Sequence, residues 1–61
     1  MSGADIVKLY LEAGWIVLRQ RGSHVMMGKN GQREVIPMHR EVKKGLMHKL
    51  LKRIGRGVGK R

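Results

Sequence analysis

Apolar residues recur at Ile6, Leu9, Tyr10 and Ala13, with Val7 and Leu11 widening the stripe, which is the spacing of one face of an α-helix. Ser2 and Asp5 stand three residues apart at its start. The Ser2 hydroxyl can accept from the backbone N–H of Asp5 while the Asp5 carboxylate returns to that of Ser2. Gly14 ends the pattern, as a left-handed C-terminal glycine would. These signals predict a helix over residues 3–13. The period then changes. Trp15 to Gln20 is short, aromatic and β-branched and reads as a strand, with alternation so poor that both faces are expected to be partly covered. Arg21-Gly22-Ser23 reads as a turn in which Gly22 is free to take a positive φ. His24 to Lys29 is a second strand. Asn30-Gly31 is the clearest local signal in the chain, a two-residue type I′ hairpin turn. Gln32 to Pro37 is a third strand, in which Val35 and Ile36 must point to opposite faces. Pro37 cannot donate to a ladder and marks the strand end or an edge.

A polar connection, Met38 to Lys44, leads into a second helix carrying Val42, Leu46, Met47, Leu50, Leu51 and Ile54 at helical spacing. Gly45 costs about 1 kcal/mol in a helix interior relative to Ala and is therefore placed at the helix start. Lys49, Lys52 and Arg53 make the opposite, solvated face, and the last two suit the negative end of the helix dipole. The order is α-β-β-β-α: an α+β fold, a three-stranded antiparallel sheet covered on one face by two helices, the layout of a double-stranded-RNA-binding domain. The expected core is Ile6, Leu9, Tyr10, Ile16, Leu18, Val25, Ile36, Leu46, Leu50 and Ile54. Residues 1–55 are expected to form the domain and residues 56–61 a basic, flexible tail.

Length and composition narrow the class. A chain of 61 residues allows one small domain of modest stability. Cysteine is absent, which excludes a disulfide framework and thiolate metal sites, and three His with four acidic residues are too scattered to suggest zinc, so neither metal nor cofactor is expected. No apolar run approaches the roughly 18 residues that span a bilayer, and the first residues do not form a signal peptide, so a cytoplasmic protein without a membrane role is expected. Fourteen Lys and Arg against four Asp and Glu give a net charge of +10, which points to a polyanionic partner. With one Trp, one Tyr and no Phe, the chain nearly lacks aromatic platforms for stacking single-stranded bases.

The residues Gly14-Trp15, then Arg19-Gln20-Arg21-Gly22-Ser23-His24, then Pro37-Met38-His39, then Lys43-Lys44-Gly45 leading into Leu50-Leu51-Lys52, closely resemble the HicA-type toxins, small mRNA interferases of type II toxin–antitoxin modules. The resemblance covers residues 2–55, and its most specific element is Gly-Ser-His after a Gly-Trp strand with Pro-x-His about a dozen residues later. It implies a double-stranded-RNA-binding fold, RNA cleavage that blocks translation, His24 as the catalytic histidine, and neutralisation by an acidic HicB-type antitoxin that covers the His24 surface. Two departures stand out. Gly45-Leu46 replaces the Gly-Thr of many relatives, which removes a hydroxyl cap worth roughly 1 kcal/mol, and the tail is unusually rich in Gly and basic residues.

The chemistry fits. RNA carries its own nucleophile, the 2′-hydroxyl, and cleavage needs that oxygen deprotonated, the leaving 5′-oxygen protonated and the added phosphate charge stabilised. An imidazole suits the first task near neutral pH, which makes His24 the candidate general base. His39 is a candidate second acid/base if the end of the third strand lies beside the start of the second. Gly22 lets the backbone approach a phosphate, Ser23 can donate to a phosphate oxygen, and Arg19 and Arg21 can grip it in two-pronged fashion. Lys29 and Arg33 complete the expected RNA-binding set. Each residue also has a purely local reading: His24 as a turn histidine, Arg19 and Arg21 as charges that protect an edge strand, His39 and His48 as surface histidines. Two whole-chain alternatives remain beside the nuclease: a noncatalytic double-stranded-RNA-binding module, and an interaction protein whose basic surface only binds an acidic partner.

Overall fold

The structure, a computed structural model, describes residues 1–56. Along the chain run α1 (Gly3–Glu12), β1 (Ile16–Arg21), β2 (His24–Lys29), β3 (Gln32–Pro37) and α2 (Lys44–Arg53). The strands form one antiparallel sheet in the order β1-β2-β3, so β1 and β3 are both edges. This is the expected α-β-β-β-α architecture of the double-stranded-RNA-binding type. Of the expected tail, only Arg56 lies within the described residues.

Local chemistry sets the boundaries. Ser2 Oγ accepts from the Asp5 N–H at 3.1 Å and Asp5 Oδ2 accepts from the Ser2 N–H at 3.4 Å, a complete capping box at the start of α1. Gly14 closes that helix with φ +95°, and Lys29 Nζ donates to the orphan carbonyl of Ala13 at 2.5 Å. Asn30 and Gly31 take φ of 49° and 79°, the paired positive values of a type I′ turn. That turn fixes the β2–β3 register from Lys29↔Gln32 to His24↔Pro37. The helix start also explains Gly3: a side chain there would run into the Pro37 carbonyl oxygen, and the Gly3 N–H donates to the His39 carbonyl at 2.8 Å.

Ile6 and Tyr10 of α1, Val25 and Met27 of β2, Ile36 of β3, Val42 and Leu50 pack together with Trp15 into the core. Both helices therefore lie on the sheet face that carries Val25, Met27 and Ile36; the opposite face is here called the outer face. The core differs from expectation on β1 and α2. Ile16, Leu18 and Leu46 are exposed rather than buried, at 60%, 44% and 36%. Leu9 and Ile54 are half-buried. Trp15, Met27, Val42 and Leu51 take their places. The strand itself starts one residue later than expected, because Trp15 turns into the core as the chain leaves α1. The helix α2 begins at Lys44 with Gly45 in its first turn, and its cap position is Lys43, which makes no side-chain hydrogen bond. The missing hydroxyl cap thus belongs to Lys43; Leu46 lies inside the first turn, a correction to the sequence reading.

Tyr10 ties the layers together. Its hydroxyl donates to the Leu50 carbonyl at 2.7 Å, one of the last four carbonyls of α2 that have no donor within the helix. Its ring meets Trp15 edge-on at 4.9 Å, and the Arg53 guanidinium covers Trp15 at 5.3 Å while donating to Glu34 at 2.9 Å. Arg53 is thus a structural clasp and not only part of a solvated helix face. Burial first, and the Glu34 carboxylate second, push the Tyr10 phenol up to about 12 against an opposing pull from Arg53. The folded state holds this proton more tightly than the unfolded chain does, so its stabilising contribution is complete below pH 10 and is lost as pH rises from about 10 towards 12. Tyr10→Phe is expected to cost about 1–3 kcal/mol by orphaning the Leu50 carbonyl. Denaturation measured from pH 8 to 12 should show the alkaline loss of stability in the native protein and a shallower loss in the variant.

Candidate nucleic-acid interface

The functional side chains expected on β1 and β2 depend on which way β1 faces. Regular alternation counted from buried Trp15 would turn Arg19 and Arg21 towards the helices. The observed pairing is Ile16↔Gly28, Val17↔Met27, Arg19↔Met26, Gln20↔Val25 and Arg21↔His24, with no partner left for Leu18. Leu18 is the extra residue of a β-bulge, and it reverses the phase. Beyond it, Gln20 shares the inner phase with Val25, while Arg19 and Arg21 share the outer face with Met26 and His24. Gly28 makes room for this: a side chain at that position would sit 2.7 Å from Leu18 Cδ1, so the bulged leucine lies over the glycine.

The result is an open groove of about 310 Å³ on the outer face, lined by Arg19, Arg21, His24, Met26 and Val35. Two cross-strand sets supply these residues, the row Arg19–Met26–Val35 and the pair Arg21–His24. His24 is exposed at the first position of β2, next to the Gly22-Ser23 turn, where Gly22 has φ +58°. That positive φ at the first turn position matches a II′-type hairpin. Ser23 accepts through its carbonyl from the Met38 N–H at 2.6 Å, which joins the end of β3 to the start of β2.

Electrostatics favour an anion here. The Asp5 carboxylate caps α1, Glu12 meets Arg56 at 3.5 Å, Glu34 holds Arg53, and Glu41 meets the N-terminal ammonium at 2.7 Å. All four acidic residues are thus engaged elsewhere, and among the described residues Arg19, Arg21 and Arg33 form no ion pair.

The expected site residues do not all converge. Arg19, Arg21 and His24 do, with Gly22 and Ser23 forming the turn beside them. Arg33 pairs with Gly28 farther along the outer face and lines a separate groove with Ile16 and Leu18. Lys29 has the inner phase, and its ammonium is committed to the end of α1. His39 is exposed beyond β3 but does not line the His24 groove. Met26 and Val35 line it without having been expected there. Their signal was present: the Asn30-Gly31 turn sets Met26 opposite Val35, two positions from His24 on the same face.

An exposed, carboxylate-free sheet face carries a histidine paired with one arginine and diagonal to a second, on a small basic domain with a double-stranded-RNA-binding type of fold. The chain belongs to the HicA toxin family: the model for the HicA toxin of bacterial toxin–antitoxin systems matches residues 3–55, nearly all of the domain. It is therefore the toxin component of such a system. Comparisons with curated proteins and with solved structures give no match. Among the described residues, no helix is long and apolar enough to cross a membrane.

Two single-residue deletions test how the bulge sets the face. Both leave β1 one residue shorter and regular. Deleting Leu18 keeps Arg19 opposite Met26, whereas deleting Gln20 moves Arg19 into the inner phase. Nuclear Overhauser contacts between the Arg19 side chain and the Met26 methyl group should survive the first deletion and vanish in the second.

Proposed function

We propose that this toxin is an mRNA interferase, a metal-independent endoribonuclease acting in the cytoplasm, in which His24 is the general base. The observation that supports the reading is the groove on the outer face that His24 lines together with Arg19 and Arg21. RNA lies across this face with a phosphate against the arginines. The neutral His24 imidazole takes the proton from the 2′-hydroxyl, the oxygen attacks the adjacent phosphorus, and the phosphorus–5′-oxygen bond breaks to leave a 2′,3′-cyclic phosphate. The two guanidiniums stabilise the charge that builds on the phosphate oxygens. With His39 outside the groove, solvent reaching the open site supplies the proton to the leaving 5′-oxygen. The nucleophile is the substrate's own hydroxyl, so the reaction requires no metal to generate it.

The Gly22-Ser23 turn supports the groove from its end: Gly22 admits a phosphate close to the backbone and the Ser23 hydroxyl donates to it. Arg33 extends the positive face along the RNA, while Lys29 contributes only long-range charge. An acidic HicB-type antitoxin is the proposed partner, and it neutralises the toxin by covering the same outer face, so RNA and antitoxin compete.

His24→Ala removes an exposed ring, so folding and RNA affinity should stay within about twofold of the native protein. Cleavage of labelled RNA should fall by about 10²- to 10⁴-fold, and growth arrest on expression should disappear. A variant that still cleaves RNA removes His24 from the role of base. Native protein that shifts RNA in a gel but leaves it intact favours a noncatalytic binding module instead.

A further inference from the structure

The groove has a floor that the proposed proton transfer does not use. Met26 and Val35 face each other across β2 and β3 on the outer face, directly beside Arg19. Val35 is 42% exposed, Met26 is half-buried, and neither belongs to the core or packs against it. An apolar pair left open to solvent in the centre of a cationic sheet face contributes little to folding, and phosphate contacts alone would not call for it.

Resting on the ribonuclease reading, we infer that Met26 and Val35 form the docking floor for an unpaired nucleobase of the RNA, next to the phosphate held at His24. Three observations converge. The row Arg19–Met26–Val35 lies two residues along β2 from His24, roughly 7 Å at about 3.4 Å per residue, a step of the order of one nucleotide. The groove, about 310 Å³ and open on one side, admits a flat ring without closing over it. The flanking charge is positive and, among the described residues, unpaired, which matches a phosphate-linked occupant and disfavours a neutral apolar one.

The aromatic residues cannot serve, because Tyr10 is fully buried and Trp15 is 5% exposed, both on the helix side. The thioether of Met26 is polarisable and adaptable, so it can follow the face of any base, and Val35 holds the other side of the ring. Neither side chain carries a strong hydrogen-bonding group for the base edge. The floor therefore selects unpaired over paired nucleotides and discriminates poorly among the four bases. Bases in a duplex are stacked against each other and keep their faces from the floor.

The test separates base docking from both charge and catalysis. Affinity is measured for a 2′-O-methyl oligoadenylate of 12 nucleotides, which blocks the attacking oxygen, and for an abasic chain with the same backbone and length. The native protein should bind the base-bearing chain about five- to tenfold more tightly, below the full contribution of an aromatic stack. Val35→Ser and Met26→Ser should each lose most of that preference while binding the abasic chain as the native protein does. Equal affinity of the native protein for the two chains overturns the inference. Variants that weaken both chains alike overturn it as well, since the pair would then act through folding or the general fit of the face. Variants that keep the RNA preference but lose an acidic protein partner reassign the floor to protein docking. The nuclease reading fails separately, through retained cleavage by His24→Ala, and leaves the binding comparison interpretable.

Discussion

Burial of Trp15 beside Tyr10 and the tight turn at Gly22-Ser23 fix the side-chain phase of β1 from its two ends, and the two assignments disagree by one residue. A β-strand has no intermediate solution, since each residue belongs to one face or the other. The chain resolves the conflict with one bulged leucine set over a glycine in the neighbouring strand. The make-up of the outer face follows from that: Arg19 and Arg21 join His24, and Gln20 takes the inner phase that an arginine would otherwise occupy. An edge strand accommodates this at little cost, because its second side has no ladder to disturb. The same bulge interrupts an exposed apolar run, Ile16-Val17-Leu18, at a sheet edge where a flat strand would invite pairing with another chain.

Charge is organised as strictly as the backbone. With net charge +10 and four carboxylates, the chain cannot neutralise itself, and it spends those carboxylates on the capping box, the loops and the helix-side clasps. The helix side is held by Tyr10, Trp15, Glu34 and Arg53, an assembly of one buried hydroxyl, one aromatic edge contact and one ion pair. The outer sheet face receives arginines that form no ion pair among the described residues. Division of labour between the faces lets a domain with few aromatic residues fold on one side of the sheet and present an open, cationic surface on the other.

Most of the fold was legible in the residues. The Ser2/Asp5 box, Gly14, Gly22 and Asn30-Gly31 each act through nearest neighbours, and each behaves as its local chemistry demands. Strands β2 and β3 keep their expected bounds because a two-residue turn leaves no freedom in register. The core was less legible on β1. Ile16 and Leu18 read as buried because they are apolar, but burial depends on phase, and the bulge is a tertiary compromise invisible to local patterning. Gly28 was its one sequence trace, a glycine inside a strand. Lys29 read as an RNA contact on charge alone, while its position beside the end of α1 gives it a carbonyl to hold. The candidate site was half legible: His24 and its arginines were expected, Met26 and Val35 were not, since exposed apolar side chains look like core until the register is worked through.

The central claim is that RNA meets the outer face of the sheet, with His24 and both bulge-phased arginines in contact together. A two-dimensional NMR titration with an uncleavable 2′-O-methyl oligonucleotide tests it most directly. The ring protons of His24 and the Nε–Hε signals of Arg19 and Arg21 should shift in concert at one binding constant, with the Lys29 side chain and the buried Tyr10–Trp15 contact unmoved. Shifts centred instead on Lys44 and Lys49 of α2, with the His24 groove silent, would place the RNA on the helical side and contradict the account.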